Sequence, residues 1–448
     1  MELIQKIFDA GVVGAGGAGF PTYIKLNCKV EYLIINAAEC EPLLETDKYL
    51  MRTKNMEIIK TIEEVGKIIE AKKLIIGLKA KYKEEIKQLI YAIEELNSKV
   101  ELYFLENFYP AGDEQIMVYE ITKRSIPSGG IPLDVGVVVS NVGTIVNIYD
   151  AMQDKPVIEK YITVVGEINH PSILKVPIGI SILECIRACG GTTVENFKVI
   201  LGGPIMGVLV DNDQIKERVI TKTIGALIVI PSDHYIAKRK NASISHIINQ
   251  AKTSCIQCSM CTDMCPRNLI GHKLRPHRIM RSVGMGECNE KILEESLICS
   301  ECGVCELYAC PMGLSPRMVN AYLKKRLREM GIRYENKQKE TIAKKIREYR
   351  KVPTTRMISR LDLTKYKEKE IKGPIEVEVE KVCIPLSQHI GKPATPNIGV
   401  GDIVRKGQLI GQVKMGDFGA NIHASIDGRV CEVSENIVIR SENNEVIS

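Results

Sequence analysis

The chain of 448 residues contains no tryptophan, and aromatic residues make up only 5% of it. Recognition that depends on stacking against aromatic side chains, as in single-stranded nucleic acid binding, is therefore not expected. No run of eighteen or more apolar residues occurs, so no membrane-spanning helix is predicted. The first residues, MELIQK, lack a charged leader followed by an apolar signal core, and we therefore expect a cytoplasmic protein.

Charge is also limited in amount. The formal net charge of +6 is below what the clustered basic face of a nucleic-acid-binding protein requires, although it can help to attract a phosphate-bearing substrate. The hydrophobic fraction of 45% and the charged fraction of 26% are usual for soluble globular proteins. Cysteine, in contrast, is abundant. In a reducing compartment the fifteen cysteines are expected to be metal ligands or free thiols rather than disulfides.

The length exceeds that of one ordinary domain, and the first segment, residues 1–155, alternates strands with helices. Periodicity predicts buried strands at residues 32–35, 74–78 and 100–105, and helices at residues 58–69 and 86–93. Such alternation is typical of an α/β sheet covered on both faces, where ligands collect outside the carboxyl ends of the strands.

The rest of the chain predicts a multidomain protein. Residues 156–240 have short strands with Pro and Gly turns, which favours a small α+β module. A cysteine-rich helical segment, residues 245–330, is followed by a Lys- and Arg-rich helical connector, residues 331–372. Residues 373–448 contain short β runs broken by Gly-Asp and Lys-Gly turns, which indicates a compact all-β module.

The strongest signal is a pair of consecutive cysteine runs. The first has the spacing C-x2-C-x2-C-x3-C-P, and the second differs by one extra residue before its last cysteine. Three thiolates at this spacing bind one [4Fe–4S] cluster, and in two-cluster arrangements the fourth cysteine of each run serves the other cluster. The first set is therefore predicted to be Cys255, Cys258, Cys261 and Cys310. The second set is predicted to be Cys299, Cys302, Cys305 and Cys265.

A pair of zinc sites is the alternative, because Cys-x2-Cys pairs also bind zinc. A zinc site needs four ligands, usually as two separated pairs, and it leaves the triple x2 spacing and the trailing Cys-Pro unexplained. The spacing therefore favours iron–sulfur clusters.

A glycine-rich stretch, residues 14–19 (GAGGAG), formally matches the G-x-G-x-x-G fingerprint of dinucleotide binding. The context differs from that fold, because the preceding segment has helical periodicity and Pro21 interrupts the helix that should follow. Two interpretations stay open: a phosphate or flavin cradle built from backbone N–H groups, or a purely structural loop.

Three stretches resemble, in the same order, the flavin-binding stretches of the FMN-carrying, NADH-oxidising subunit of respiratory complex I. They are residues 14–22 (GAGGAGFPT), 36–42 (NAAECEP) and 141–144 (NVGT). The resemblance implies that FMN lies across these loops, that its phosphate contacts backbone near residues 141–144, and that NADH stacks over the ring beside Phe20.

This resemblance also implies individual site residues. The cofactor-binding residues are expected to be Gly14, Gly16, Gly17, Gly19, Phe20, Asn36, Glu39, Glu41, Asn141, Val142, Gly143 and Thr144. Lys25 and Glu114 are expected beside the reacting groups as catalytic residues. The chain departs from the complex I motif at Ala15, where that motif carries Arg.

Further stretches are similar to the RnfC and PduS branch of that superfamily. They are residues 109–114 (YPAGDE), 127–132 (PSGGIP) and 134–139 (DVGVVV). Residues 161–207 look like its β-grasp, or SLBB, ligand-binding domain. Residues 385–391 (PLSQHIG) and 421–424 (NIHA) resemble the RnfC barrel-sandwich module. That module precedes the flavin domain in RnfC but follows the clusters here, an order that matches PduS-like cobalamin reductases of propanediol utilisation.

The resemblance implies an NADH-dependent flavin and iron–sulfur oxidoreductase that carries FMN and two [4Fe–4S] clusters and reduces cobalamin for coenzyme B12 recycling. The implied partners are NADH, cobalamin or another electron acceptor, a cobalamin adenosyltransferase and microcompartment shell proteins, with no nucleic acid and no membrane span. The implied location is the cytoplasm, free or within a bacterial microcompartment. One alternative is an RnfC-like electron-input subunit of a ferredoxin:NAD oxidoreductase or of another electron-transfer complex. A second alternative is a non-catalytic corrinoid-binding scaffold.

Overall fold

A computed structural model describes residues 2–286, 290–336, 338 and 340–442. Residues 2–152 contain α1 (Glu2–Asp9), α2 (Thr22–Lys25), β1 (Tyr32–Asn36), α3 (Thr46–Thr53), α4 (Asn55–Ile68), β2 (Lys73–Lys79), α5 (Lys83–Glu95), β3 (Glu101–Leu105), β4 (Phe108–Tyr109), α6 (Glu114–Thr122), β5 (Val137–Asn141) and α7 (Val142–Met152). Residues 159–254 contain β6 (Glu159–Gly166), β7 (Ser172–Pro177), α8 (Ile182–Ala188), β8 (Phe197–Leu201), β9 (Val208–Val210), β10 (Ala226–Pro231), α9 (Tyr235–Lys240) and α10 (Ile244–Ser254).

The second half of the chain begins with short helices and ends with short strands. Residues 260–376 contain α11 (Met260–Asp263), α12 (Pro266–Leu269), α13 (Pro276–Met285), α14 (Glu290–Leu293), α15 (Pro316–Glu329), β11 (Val352–Pro353), α16 (Thr354–Arg360), α17 (Thr364–Lys367) and β12 (Lys372–Glu376). The last strands are β13 (Lys381–Pro385), β14 (Thr395–Pro396), β15 (Ile403–Val404), β16 (Leu409–Gln412), β17 (Ile422–His423), β18 (Gly428–Val433) and β19 (Asn436–Arg440). Within the described ranges, no helix is long and apolar enough to cross a membrane.

The first module is built on a parallel sheet with the strand order β3-β2-β1-β5. Its central strand β1 is apolar throughout because both faces of the sheet are covered. Ile34 packs on one face with residues of α6, whereas Leu33 and Ile35 join a core with residues of α4, α5 and α7 on the other. The predicted α/β sheet with two covered faces is confirmed.

A crevice forms where β1 and β5 lie side by side. The chain runs from β1 outward to β2 and β3, and it returns to the other side of β1 as β5. At such a switch in direction, the connections diverge and leave a space outside the carboxyl ends of the strands. Asn36 ends β1, Asn141 ends β5, and the two residues are register partners.

The second module is a six-stranded sheet with the order β12-β7-β6-β10-β8-β9, covered by α8. A capping box starts α8, because Ser181 Oγ accepts from the Glu184 N–H while Glu184 accepts from the Ser181 N–H. The edge strand β12 comes from the end of the connector, so residues 331–372 return the chain from the helical segment to this sheet.

The connector also packs against the first module. Its strand β11 pairs with β4, and Arg347 is buried between the carboxylate of Glu120 and the ring of Tyr119. The C-terminal module consists of two small sheets, ordered β13-β19-β18-β15 and β14-β16-β17. It returns to the start of the chain, where the Ile390 N–H donates to Gly19 O at 3.2 Å.

Candidate flavin and iron–sulfur site

A cavity of about 1700 Å³ opens at the carboxyl ends of β1 and β5. Its walls come from the first module, from residues 201–203, 206–208 and 221–225 of the second, and from Ile390 of the C-terminal module. Single small-molecule sites usually measure about 300–1,000 Å³, so the cavity has room for more than one ligand. The sequence-predicted cofactor residues that line it are Gly14, Gly16, Gly17, Phe20, Asn36, Glu39, Glu41, Asn141, Gly143 and Thr144.

Two of the predicted cofactor residues lie elsewhere. Val142 is fully buried in the core beneath α7. Gly19 has φ +66°, and a Cβ atom there would approach Thr223 Cγ2 to 2.9 Å and His389 Cα to 3.1 Å. Gly19 therefore allows the glycine-rich loop to fit between the second module and the C-terminal module.

The glycine-rich loop exposes backbone to the cavity. The Gly14 N–H donates to Phe20 O at 2.9 Å and closes the loop, and the Ala15 N–H donates to Thr144 Oγ1 at 2.9 Å. A Cβ atom on Gly16 would meet the Asn141 side chain at 3.3 Å, while Gly17, with φ +112°, faces open space. Exposed backbone without side chains is what a cradle for a flavin or its phosphate requires, so these residues fit FMN.

Charged side chains form the floor of the cavity. Asn141 Nδ2 donates to Asp47 Oδ2 at 2.7 Å, and burial raises the pKa of the Asp47 carboxyl. Burial, and then the charge of Asp47, raise the pKa of Glu39 to about 8. Lys160 Nζ donates to Lys222 O at 2.6 Å and to Ala15 O at 3.4 Å, and burial lowers its pKa to about 8.

Asp47 and Lys160 were not predicted from the sequence. Asp47 lies in the ordinary amphipathic helix α3, and Lys160 lies in a strand of the second module. Neither belongs to a motif, so no local signal could have found them.

Lys25 and Glu114, predicted as catalytic residues, form an ion pair in the cavity wall. Lys25 Nζ lies 2.9 Å from Glu114 Oε1. Lys25 ends α2 and Glu114 begins α6, whose first turn is capped by Asp113 Oδ1 accepting from the N–H groups of Gln115 and Ile116. The structure thus brings together two side chains that are 89 residues apart in the sequence.

Glu41, also predicted to contact the cofactor, is engaged by the second module. Its Oε2 accepts from the Ile205 N–H at 2.8 Å and its Oε1 from the Met206 N–H at 3.2 Å. A Cβ atom on Gly203 would come within 2.1 Å of this side chain. Glu41 therefore fixes a loop of the second module against the cavity.

The eight predicted cluster cysteines form two groups that differ in exposure. Burial raises the pKa of Cys261 to about 12, and Cys310, Cys255 and Cys258 raise it further. Burial also raises the pKa of Cys305, as do Glu306 and then the thiols Cys299, Cys302 and Cys265. These mutual effects place the fourth cysteine of each run beside the other run, as the sequence predicts.

All four thiols of the second set are buried, whereas Cys258 of the first set is exposed and its three partners are half-buried. In the part of the chain that the structure describes, no three His, Cys, Asp or Glu side chains converge tightly enough to hold a single metal ion. Two groups of four thiols are the donor set that [4Fe–4S] clusters take, so these residues fit the clusters.

The buried set adjoins the flavin cavity. Cys302 lines the cavity, and the hydroxyl of the buried Tyr109, another lining residue, donates to Cys302 O at 2.8 Å. Nearby, the buried ion pair of Arg267 with Asp113, 2.8 Å apart, joins the helix after the first cysteine run to the start of α6. The structure therefore presents one continuous site, with a cavity, a buried set of thiols and an exposed set of thiols.

Comparison with known proteins identifies each module. The family models that match are the Nuo51 FMN-binding domain over residues 7–150, the SLBB domain over 161–209, the 4Fe-4S dicluster domain over 254–315 and the RnfC barrel sandwich hybrid domain over 361–448. The expected fold class is thereby confirmed.

The cobalamin reductase PduS of Salmonella typhimurium is 39% identical over 439 residues, which cover 98% of this chain and 96% of that protein. The chain belongs to the PduS family of cobalamin reductases. The PduS of Citrobacter freundii is also 39% identical, over 96% of this chain and 94% of its own. The RnfC-like member of the Na⁺-translocating ferredoxin:NAD⁺ oxidoreductase complex of Acetobacterium woodii is 35% identical over 275 residues, 60% of this chain and 58% of that protein.

Membership of the PduS family, together with the FMN-binding and dicluster domains, makes the chain a flavin and iron–sulfur oxidoreductase. Its cofactors are FMN and [4Fe–4S] clusters, and zinc is no longer an alternative for the cysteine runs. Both the PduS and the RnfC branches anticipated from the sequence are confirmed as relatives.

Proposed function

We propose that the chain oxidises NADH and passes the electrons, through FMN and two [4Fe–4S] clusters, to oxidised cobalamin. The observation that carries this proposal is the position of Cys302, which lines the flavin cavity while Cys258 of the other set is exposed. A buried centre beside the donor cavity and an exposed centre beside solvent are what transfer to an external acceptor needs. The names of the relatives support cobalamin as that acceptor.

The cavity residues are assigned as follows. Gly14, Gly16, Gly17, Phe20, Asn36, Glu39, Asn141, Gly143 and Thr144 hold FMN, and Glu41, Gly19 and Val142 shape its surroundings. When bound, FMN accepts two electrons from NADH and releases them singly, and the clusters carry them one at a time. The chain itself contributes position, charge and the exclusion of water.

Lys25 and Glu114 are assigned to orient the nicotinamide. Their ion pair fixes the Lys25 ammonium at the cavity wall next to the loop that carries Phe20. A cation held in this way can donate hydrogen bonds to a substrate carbonyl or phosphate without moving, which reduces the cost of ordering it.

The thiols are assigned in two sets. Cys265, Cys299, Cys302 and Cys305 hold the cluster next to the cavity, and Cys255, Cys258, Cys261 and Cys310 hold the cluster next to the surface. The domain division that accompanies this proposal is 1–155 for flavin and NADH, 156–240 for the SLBB module, 245–330 for the clusters, 331–372 for the connector and 373–448 for the barrel-sandwich module.

Family membership also supports the proposed setting. We propose a cytoplasmic location, free or enclosed in a bacterial microcompartment, with a cobalamin adenosyltransferase and shell proteins as neighbours. Copurification with an adenosyltransferase and with shell proteins tests these contacts separately from the redox activity.

The experiment is an anaerobic spectral titration of the protein loaded with FMN and clusters. We expect NADH to bleach the flavin and cluster bands and aquocobalamin, added next, to acquire the cob(II)alamin spectrum catalytically. If NADH bleaches the bands and the corrinoid stays oxidised, the donor half of the proposal holds and cobalamin is the wrong acceptor. That outcome would favour the second candidate, an RnfC-like electron-input subunit, which the relationship to the Acetobacterium woodii protein supports.

A further inference from the structure

Lys160 is a buried cation on the floor of the flavin cavity, and it comes from the second module rather than from the flavin-binding motifs. It lies in β6 and lines the cavity together with Ala15 and Thr144. Among the described residues, no carboxylate lies within ion-pair distance of its ammonium, which donates to two backbone carbonyls, Lys222 O at 2.6 Å and Ala15 O at 3.4 Å. An ammonium has three N–H donors, so one remains for a ligand.

Other cations of the same wall are neutralised by partners. Lys25 pairs with Glu114, and Lys175 pairs with Glu159 and Glu376. A buried cation without an ion-pair partner is costly unless an anion accompanies it. The cavity thus contains a positive charge that protein groups leave available.

The surroundings of Lys160 are suited to a phosphate group. Its neighbour Ala15 donates its N–H to Thr144 Oγ1, so the ammonium lies beside the first turn of α7. The N-terminus of this helix, which has eleven residues, carries a partial positive charge. Next to it, Gly16 and Gly17 are exposed, and their backbone N–H groups donate to no partner in the described chain.

Two carboxyl groups face the same floor, those of Asp47 and Glu39. Burial raises the pKa of both, that of Glu39 to about 8, so the pair carries less than two negative charges near pH 7. The Asp47 carboxyl also accepts from Asn141 Nδ2, which spreads its charge toward β5. The floor therefore leaves Lys160 able to attract an external anion.

We propose that Lys160 binds a phosphoryl group, namely the phosphate of FMN, and so makes the second module part of the flavin site. The depth of the site favours the flavin phosphate over the pyrophosphate of a dinucleotide. Lys160 lies by the strand ends, whereas the exposed apolar residues Ile131, Met206 and Val208 mark the outer rim of the cavity. The inference rests on the flavin role in the proposed function, but it is independent of NADH and of the acceptor.

The test measures flavin binding alone, by fluorescence quenching, on the full-length protein with reconstituted clusters and depleted flavin. FMN and riboflavin differ only in the phosphate. For Lys160→Met, we expect FMN affinity to fall about 10- to 100-fold, the value of one charge-assisted hydrogen bond, with riboflavin affinity unchanged. Lys160→Arg should retain most of the FMN affinity. Lys175→Met, which removes another lysine of the same cavity, is the matched control and should bind both flavins normally.

Inorganic phosphate provides a second measurement. It should compete with FMN, but not with riboflavin, in the wild type, and this competition should be lost in Lys160→Met. An equal loss of both flavins in Lys160→Met would overturn the proposal and make Lys160 a packing residue. Unchanged FMN affinity combined with a raised KM for NADH would also overturn it, because the phosphate would then belong to the dinucleotide. Failure of cobalamin reduction would leave these binding results unaffected.

Discussion

Phe20 of the glycine-rich loop meets Phe418 of the C-terminal module edge to face, with ring centroids 5.2 Å apart and planes at 74°. The two residues come from opposite ends of the chain, and Phe20 also lines the flavin cavity. Edge-to-face pairs contribute about 0.5–1.5 kcal/mol beyond their buried area. The C-terminal module therefore helps to hold the ring that we expect to contact the nicotinamide.

Replacing Phe418 tests this support. For Phe418→Ala we expect KM for NADH to rise about 2- to 10-fold, with a smaller change in kcat, because Phe20 loses its neighbour but not its place in the loop. Steady-state kinetics with a one-electron dye as acceptor measures both constants. Val400→Ala, an exposed apolar residue of the same module, is the control. A fall in kcat with KM unchanged would contradict the assigned role.

The Lys25–Glu114 ion pair yields a prediction about the donor step. Lys25→Met should lower kcat/KM for NADH by about 100-fold, because the change removes the donor and leaves Glu114 without its partner. Flavin reduction followed by stopped flow measures this step. Lys29→Met removes a lysine of similar length whose ion pair with Glu70 is exposed, and it should react normally. Normal flavin reduction by Lys25→Met would exclude Lys25 from the nicotinamide site.

Tyr109 connects the cavity to the buried thiols. In Tyr109→Phe the hydrogen bond to Cys302 O is lost and the ring remains. We expect the cluster bands to bleach about 3- to 10-fold more slowly after NADH, with the flavin phase unchanged, since a net hydrogen bond is worth about 1 kcal/mol. Tyr103→Phe loses a hydrogen bond of the same length to Glu120 O, away from the thiols, and serves as the control. Equal rates in both variants would show that Tyr109 has no such role.

A buried lysine at the junction of three modules predicts a pH dependence of stability. Lys222 Nζ donates to Gly11 O and Asn421 O, both at 2.7 Å, and burial lowers its pKa to about 7 from 10.5. Between these values the unfolded chain binds more protons than the native one, so the contribution of Lys222 to stability rises with pH. His389 and His423 face it, but their lowered pKa values keep them neutral in this range.

The comparison is between the wild type and Lys222→Met. The free energy of unfolding of the wild type should gain on that of the variant from pH 7 to pH 10, by at most about 1.4 kcal/mol per pH unit, and it should not change below pH 7. Thermal unfolding of the holoprotein over this range measures the difference. Lys414→Met, an exposed lysine of the C-terminal module, should track the wild type. A difference that shrinks as the pH rises would have the wrong sign.

The sequence predicted the parts of the site that have a local pattern. Strand β1 was predictable because Leu33, Ile34 and Ile35 form a continuous apolar run between two covered faces. The two thiol sets were predictable because the spacing of the cysteines reflects the geometry of a cluster loop. Resemblance to complex I supplied Lys25 and Glu114, which the fold then places 2.9 Å apart.

Other features of the site depend on contacts between modules, which leave no local trace. Lys160 and Ala15 are 145 residues apart and meet only because the second module packs against the glycine-rich loop. The same packing engages Glu41 with the backbone at residues 205–206, although its motif suggested a cofactor contact. For these residues, neither periodicity nor spacing carries information about the partner.

The central claim is that electrons enter at the cavity, pass the buried thiol set and leave from the exposed one. The most direct test follows flavin and cluster absorbance in holoprotein carrying Cys258→Ala, mixed anaerobically with NADH and then with aquocobalamin. The account predicts that NADH still bleaches the flavin and the buried cluster, while cob(II)alamin formation falls at least about 100-fold. Reduction of cobalamin at the wild-type rate would contradict the account, because the electrons would then leave without the exposed cluster.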